Sequence, residues 1–422
     1  MTFESDIETF TKGRDVKGGE KVVWVEVCDS FERLQAIQQQ WDQLAESVGS
    51  EIFLTYDWCR IWWKYYGAGR DLRVYVFRSA EKLVGVLPLF FESIRLGPVF
   101  VRAGKIVGSD HTLAQFSPPV RRDHIRAVVQ RFYELISRER WDIIHIGPIA
   151  GLYSHYEELS EALDESFGGS CILRAKKTQD QTYFLLADKW AAQLKGLSRN
   201  ARKRISRHYR QLNKALHHEP GRFASEFATV ENADEMFRGF VHMHQVHWKA
   251  CGKLGHFGDW QDAFEFHREM VMAQLKYDRL RLMASYWGTR SLGYEYAYKF
   301  GDKYFAFLNA RTDSEKLADI NVCTSMFTEQ VKRAMSENVR CVDDMRGKYD
   351  YKLRLGGKLF PVRSIYVLRK KGLVLIRVMM FRILSRLLDV CYYRIWFCTL
   401  APRLPFGRTP LRKIWVKMCA FV

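Results

Sequence analysis

Between Arg281 and Arg346 the periodicity of the chain changes from two to about 3.6 and back once, and this switch narrows the folds open to it. Arg281–Trp287, Leu292–Phe300 and Lys303–Ala310 alternate and are rich in aromatic residues, with breaks at Gly288-Thr289-Arg290 and Gly301-Asp302. Runs separated by such short breaks read as hairpins of an antiparallel meander. From Ser314 the apolar positions take helical spacing, at Val322, Met326, Val331 and Met335, until Asn338 closes the run ahead of a short strand, Val339–Val342. The unit reads β-β-β-α-β.

The same grammar occurs earlier. Leu72–Phe77, a turn over Ser79–Lys82, Leu83–Phe91 and further strand-like runs to Phe116 precede a helix expected over Arg122–Arg138 and the strand Trp141–Ile146. Leu83-Val84-Gly85 stands where Ser291-Leu292-Gly293 stands in the later half, so the chain reads as two related domains. The expected fold class is α/β (α+β): two tandem domains, each a mixed, mostly antiparallel sheet flanked by helices, plus a basic, apolar C-terminal helical tail. The expected boundaries are a loose tail over 1–20, a domain over 21–187, a linking helix over 188–220, a second domain over 221–369 and the tail over 370–422.

With 422 residues, 47% hydrophobic and 14% aromatic, the chain can bury sizeable cores, which excludes disorder of the whole. Its nine cysteines are scattered, without a Cys-x-x-Cys pair, and suggest neither a disulfide framework nor a cysteine zinc site. A reducing, cytoplasmic location is the expectation, and Met1–Glu20 lacks the apolar core of a secretory signal.

Two segments account for the whole formal net charge of +18. Lys195–Lys214 holds eight Lys and Arg and no acid, over a thin apolar stripe of Leu197, Ile205, Tyr209 and Leu212. It reads either as a solvated face or as a surface for phosphates, lipid head groups or RNA, and nucleic acid is disfavoured because no RNA-binding motif accompanies it. Lys370–Val422 holds eleven Lys and Arg against Asp389 alone, within strongly apolar sequence. Charges interrupt it too often for a membrane span. On a helical wheel Arg382, Ser385, Arg386 and Asp389 share one face, so the segment reads as a helix lying on a membrane surface or packed on its own domain, with the inner face of the plasma membrane as the favoured partner.

The block Leu292–Gly356, with Tyr304–Leu308, Asp313, the helix, Asp344-Met345-Arg346-Gly347 and Tyr351-Lys352, resembles the cellulose-biosynthesis-type acyltransferases of the GNAT superfamily. Phe53–Trp58, Trp62-Trp63, Val84–Leu89, Gly108–His111, the basic helix and His244–Trp248 with Gly252 are similar to the same family, so the likeness covers about residues 30 to 368. The resemblance implies paired GNAT-like domains, related to Fem-type aminoacyl transferases. It also implies acyl transfer from acyl-CoA, with acetyl-CoA as the expected donor, to an amine or hydroxyl of a sugar, amino acid or lipid-linked glycan precursor, in polysaccharide or cell-envelope synthesis. The acceptor would attack the thioester directly while a base takes its proton and backbone N–H groups hold the oxyanion. Transfer of an aminoacyl group from tRNA, or a non-catalytic membrane-docking scaffold, are the alternatives.

Candidate residues follow from chemistry and likeness together. Asp344 leaves the last strand as a base or hydrogen-bond acceptor, or else pairs with Arg346. Glu295, an acid between Tyr294 and Tyr296, reads as a base with a raised pKa if buried and as ordinary surface if not. Asp110 and His111 form an acid–base pair or a capped turn. His244 and Trp248 are candidates through the likeness, and no metal is expected from His242, His244, His247 and Cys251. Arg346, Tyr351, Lys352 and Tyr304 are candidates for the acceptor. Arg311, Lys316 and Asn321, around a glycine-free loop before the helix, are candidates for the phosphates of CoA.

Overall fold

The structure, a computed structural model, describes residues 22–110, 114–218, 220–312, 322–401 and 411–422. Its strands are β1 (Trp24–Cys28), β2 (Asp71–Ser79), β3 (Lys82–Leu96), β4 (Val99–Ile106), β5 (Ile143–Ile149), β6 (Cys171–Leu185), β7 (Phe223–Phe227), β8 (Leu280–Trp287), β9 (Arg290–Phe300), β10 (Lys303–Arg311), β11 (Cys341–Arg346) and β12 (Lys358–Arg369). The chain divides into two units, one formed by the described residues of Met1–Lys177 and Arg363–Val422, the other by Thr178–Val362.

In the first unit β1 to β4 pair antiparallel in sequence order. The helix Ile125–Ile136 then carries the chain to β5, which lies parallel to β4 over Ala103–Lys105, and β12 pairs antiparallel with β5. The helix buries Ile125, Val128, Val129, Phe132 and Ile136, a single stripe at three- and four-residue intervals. The second unit repeats this order. There β7 to β10 are antiparallel, the helix Val322–Ser336 leads to β11 parallel to β10, and the Gln181–Leu185 part of β6 closes the series antiparallel to β11.

This repetition is the duplication read from sequence, with one difference. The last strand of each sheet comes from the distant part of the chain, so the units do not follow the boundaries expected above. The basic helix, Arg199–Leu216, belongs to the second unit: Leu212 and Leu216 are fully buried with Leu292, Trp287 and Met326. Its thin apolar stripe is enough to anchor it, and Ser198 caps its N-terminus by accepting from the Ala201 N–H at 3.2 Å.

The C-terminal segment belongs to the first unit. The helix Gly372–Leu388 and the helix Arg412–Met418 place Val378, Phe381, Met418 and Phe421 in one cluster with Ile94, Val101, Tyr366 and Leu368. Between them Asp389 opens a π-helical stretch, Asp389–Leu400, and accepts from Trp415 Nε1 at 3.1 Å and Arg394 Nε at 2.8 Å. Among the described residues no helix is long and apolar enough to cross a membrane.

Candidate active site in the second unit

The ladder between β10 and β11 is three residues long, from Lys303–Cys341 to Phe305–Asp343, although β10 runs on to Arg311 and β11 to Arg346. Both strands are irregular where pairing stops. The register of β10 against β9 shifts between Ala306 and Leu308, and that of β11 against β6 shifts between Asp343 and Arg346. Such bulges re-aim side chains. Here Asp343 turns inward, accepting from Gln181 Nε2 at 2.6 Å and from the Met345 N–H at 2.9 Å, while Met345 takes a positive φ of 57°. The expectation of a strand ending at Val342 is corrected: the bulge lets β11 continue to Arg346 and separates a structural acid, Asp343, from its neighbour Asp344.

Asp344 lies beside Lys352, with Nζ to Oδ2 at 3.4 Å and Nζ also donating to the Asp344 carbonyl. Lys352 and Tyr351 belong to a short helix, Asp350–Arg354, which buries the Lys352 side chain and leaves Tyr351 half exposed against Tyr349. Burial pushes the Asp344 carboxyl up to about 6, and Lys352 limits the rise.

Glu295 occupies the middle of β9 and is 4% exposed, so the surface alternative is excluded. Strand alternation puts it on the face of Gly293 and Ala297, the face covered by the helix Val322–Ser336: a Cβ on Gly293 would fall 2.6 Å from Met326 Sδ. Burial and then the Asp344 charge push the Glu295 carboxyl well above the ordinary range. Burial followed by Asp344, Glu295 and Cys323 raises the Tyr351 phenol in the same way. Cys323, at the start of the helix, is pushed up to about 12 by burial and Glu295, against Arg311. Glu295, Asp344, Cys323 and Tyr351 are thus linked by charge, with Lys352 joined through Asp344 and Arg311 through Cys323.

Cys323 was not singled out from sequence. Its signal was present in the first turn of a helix packed over the face of Glu295, but recognising it required knowing that face. A thiol held this far from ionisation is a poor nucleophile.

Among the described residues of the first unit the positions equivalent to the acid pair are apolar. Counting from the equivalent parallel pairs, Ala103–Ile143 and Lys303–Cys341, Ile146 stands where Asp344 stands. The pairs Leu89–Ile106 and Ala297–Ala306 are likewise equivalent, which puts Leu87 at the place of Glu295. Leu87 and Ile146 line an apolar pocket with Val128, Phe132 and Leu159.

The remaining candidates are placed elsewhere. Asp110 is buried in the first unit, bound to Lys105 Nζ at 2.5 Å and Arg70 Nη2 at 2.7 Å, which corrects the turn-cap reading; its pairing with His111 falls on a residue outside the described ones. His111, Lys316 and Asn321 lie outside the described residues. Tyr304 is fully buried, its hydroxyl accepting from Arg281 Nε at 3.0 Å beside Glu337. His244 accepts from Trp248 Nε1 at 2.9 Å, and burial with the neighbouring His247 lowers it to about 4. It packs on Phe240, which contacts Tyr294 and Tyr296 on the sheet face opposite Glu295. Arg346 lies opposite Gln181 at the end of β11. Among the described residues no cluster has the composition of a metal site.

Residues 199–353 match the family model of the acetyltransferase (GNAT) domain. The fold is similar to that of FemX, with a TM-score of 0.56 at 12% identity over 78% of this chain and 95% of that one. It is also similar to a conserved protein of unknown function from Bacteroides thetaiotaomicron, with a TM-score of 0.50 at 12% identity over 82% of this chain and 100% of the other. No curated protein matches the sequence. The matched segment contains every residue of the acid site, from Glu295 to Lys352, and the chain is accordingly an acyltransferase carrying a GNAT acetyltransferase domain over residues 199–353.

Proposed function

We propose that the second unit transfers an acyl group, with acetyl as the expected case, from acyl-CoA to an amine or hydroxyl of a sugar, amino acid or lipid-linked glycan precursor. The observation that carries this reading is the pair of buried acids, Glu295 and Asp344, where the β10–β11 ladder stops. Two acids in contact through charge titrate apart: one stays protonated while the other ionises near neutrality. Asp344, at about 6, is mostly ionised at pH 7 and takes the acceptor's proton.

The acceptor's lone pair forms the new bond to the thioester carbon and the carbon–sulfur bond breaks, leaving CoA thiolate. The proton that Asp344 has taken passes to that sulfur through the Tyr351 hydroxyl, which gives up its own proton only as it receives the one from Asp344, so the thiol leaves and both groups end as they began. Backbone N–H groups of β10 past Phe305, no longer paired to β11, hold the carbonyl oxygen as it gains charge. Lys352 and Arg346 face the acceptor side, and Arg311 with Lys316 and Asn321 serves the phosphates of CoA. A role in cell-envelope or polysaccharide synthesis rests on the sequence resemblance to the cellulose-biosynthesis type, and a cytoplasmic location on the scattered cysteines.

A second reading, aminoacyl transfer from tRNA, is favoured by the basic helix, whose Arg202, Lys203, Arg207, Arg210 and Lys214 are exposed with no acid among them. Thiol release from acetyl-CoA across a panel of amino sugars, amino acids and glycan lipids separates the two. Acceptor-dependent release that Asp344→Asn abolishes supports CoA-dependent transfer. Ribonuclease-sensitive transfer of an aminoacyl group without thiol release would replace it with the tRNA reading, and turnover with neither donor would favour a silent scaffold.

A further inference from the structure

The helix Gly372–Leu388 is buried on one side and apolar on the other. Val378, Phe381 and Ser385 face the first unit, and Arg377 is held there by Asp142 at 2.5 Å. Leu373, Ile376, Met380, Ile383 and Leu387 recur at intervals of three and four and are all exposed, Leu373 by 84% and Ile383 by 58%. Met379 and Val390 widen the stripe. At 1.5 Å per residue it is about 21 Å long. The polar residues expected to face solvent face the protein instead: Ser385 and Asp389 are buried, and Arg382 lies over the Tyr366 ring at 5.2 Å. Among the described residues nothing covers this apolar outer side, and an exposed apolar stripe of this length marks an interaction surface.

Charge identifies that partner. Arg386 is exposed at one edge of the stripe, and Arg174 and Lys176 are exposed on β6. Burial, then Arg386 and Arg382, push the Lys176 ammonium down, and Arg386 and Arg174 act likewise on Arg382, so four cations crowd one another beside an apolar face. The acceptor that Lys176 reaches is the Val422 backbone oxygen at 3.3 Å. A second copy of the chain meeting this face about a two-fold axis would bring like-charged patches together, whereas a surface of anionic head groups over acyl chains satisfies both features.

We infer that the stripe Leu373–Leu387, edged by Arg174, Lys176, Arg382 and Arg386, lies in the interface of an anionic lipid membrane with the first unit held against the bilayer. The inference is independent of the acid site and of the transfer reaction. The full chain is floated with vesicles of phosphatidylcholine alone and with phosphatidylglycerol added. Binding to the anionic vesicles, weakening as salt rises, is expected. Arg174→Gln and Arg386→Gln are each expected to weaken partition about five-fold, from roughly 1 kcal/mol per surface charge. Ile376→Ser with Ile383→Ser and Leu387→Ser should abolish binding while leaving the melting temperature unchanged, since these side chains are exposed. Absence of binding, or equal binding to both vesicle types, overturns the inference. A dimer in light scattering that the triple variant converts to monomer, without vesicle binding, would assign the stripe to a second copy.

Discussion

At the residue scale the site depends on two adjacent acids having different fates. Nothing in Asp343-Asp344 as sequence says which is structural; the bulge decides, giving Asp343 to Gln181 and Asp344 to the Lys352 side. Glu295 was more legible, because an acid inside an aromatic strand must either face solvent or be tuned. As a base, Asp344 acts only when ionised, so kcat is expected to rise as pH passes through about 6 and then level off. Asp344→Asn should remove that limb and lower kcat by about 10²–10⁴ with little change in KM for acyl-CoA, read from pH–rate profiles of both proteins. Glu295 makes a separate prediction about stability. Its folded pKa lies above the unfolded value, so the folded state binds more protons and stability falls as pH rises from the unfolded value toward the folded one. Glu295→Gln mimics the protonated acid. Its melting temperature should exceed that of the wild type at pH 8, with the gap closing near pH 4.5; a gap that does not depend on pH would show that Glu295 is not the group responsible.

At the element scale the sequence was most legible where periodicity was strong. The three aromatic strands and the helix after them occur as expected, because alternation and helical spacing are imposed by burial of one face. The short helix Asp350–Arg354 was missed because five residues are too few to show a period, and the swapped strands β6 and β12 carry no local mark of their partners. The helix Val322–Ser336 is seated on Gly293, where an added Cβ would come 2.6 Å from both the Ala310 carbonyl and Met326 Sδ. The backbone oxygen cannot move away, so Gly293→Ala must lift the helix that carries Cys323. We expect a loss of about 1–3 kcal/mol in urea unfolding, with reduced acyl transfer. Gly169→Ala, with nothing within 4 Å of the new methyl, is the matched control and should leave both unchanged.

At the scale of the whole molecule the C-terminal segment is the part whose role the sequence left open, since its composition suits an interfacial helix, the favoured reading, and also a packed one. The structure packs one face of its long helix and leaves the other apolar and exposed. Its inner face covers Ile94, Val101, Tyr366 and Leu368 with Val378, Phe381, Met418 and Phe421. Its last helix also brings Lys417 to Glu92 at 3.1 Å, within a buried group in which Lys105 meets Glu92 and Asp110 at 2.5 Å. Burial alone would raise Glu92, but Lys105, Arg70 and Lys417 together hold it below the ordinary carboxylate range. The segment is therefore part of the first unit's core. Ending the chain at Arg369 removes Val378, Phe381, Met418 and Phe421 from that cluster, each contributing about 1.5–3 kcal/mol, against a typical total stability of about 5–15 kcal/mol. Such a truncation is expected to aggregate or to lose the first unit's cooperative unfolding in calorimetry. The full-length chain with Ile376→Ser, Ile383→Ser and Leu387→Ser should instead melt as the wild type does. A truncated chain that stays soluble with an unchanged transition would mean that the packing of the tail contributes little, and that its inner face, like its outer one, is free to serve another surface.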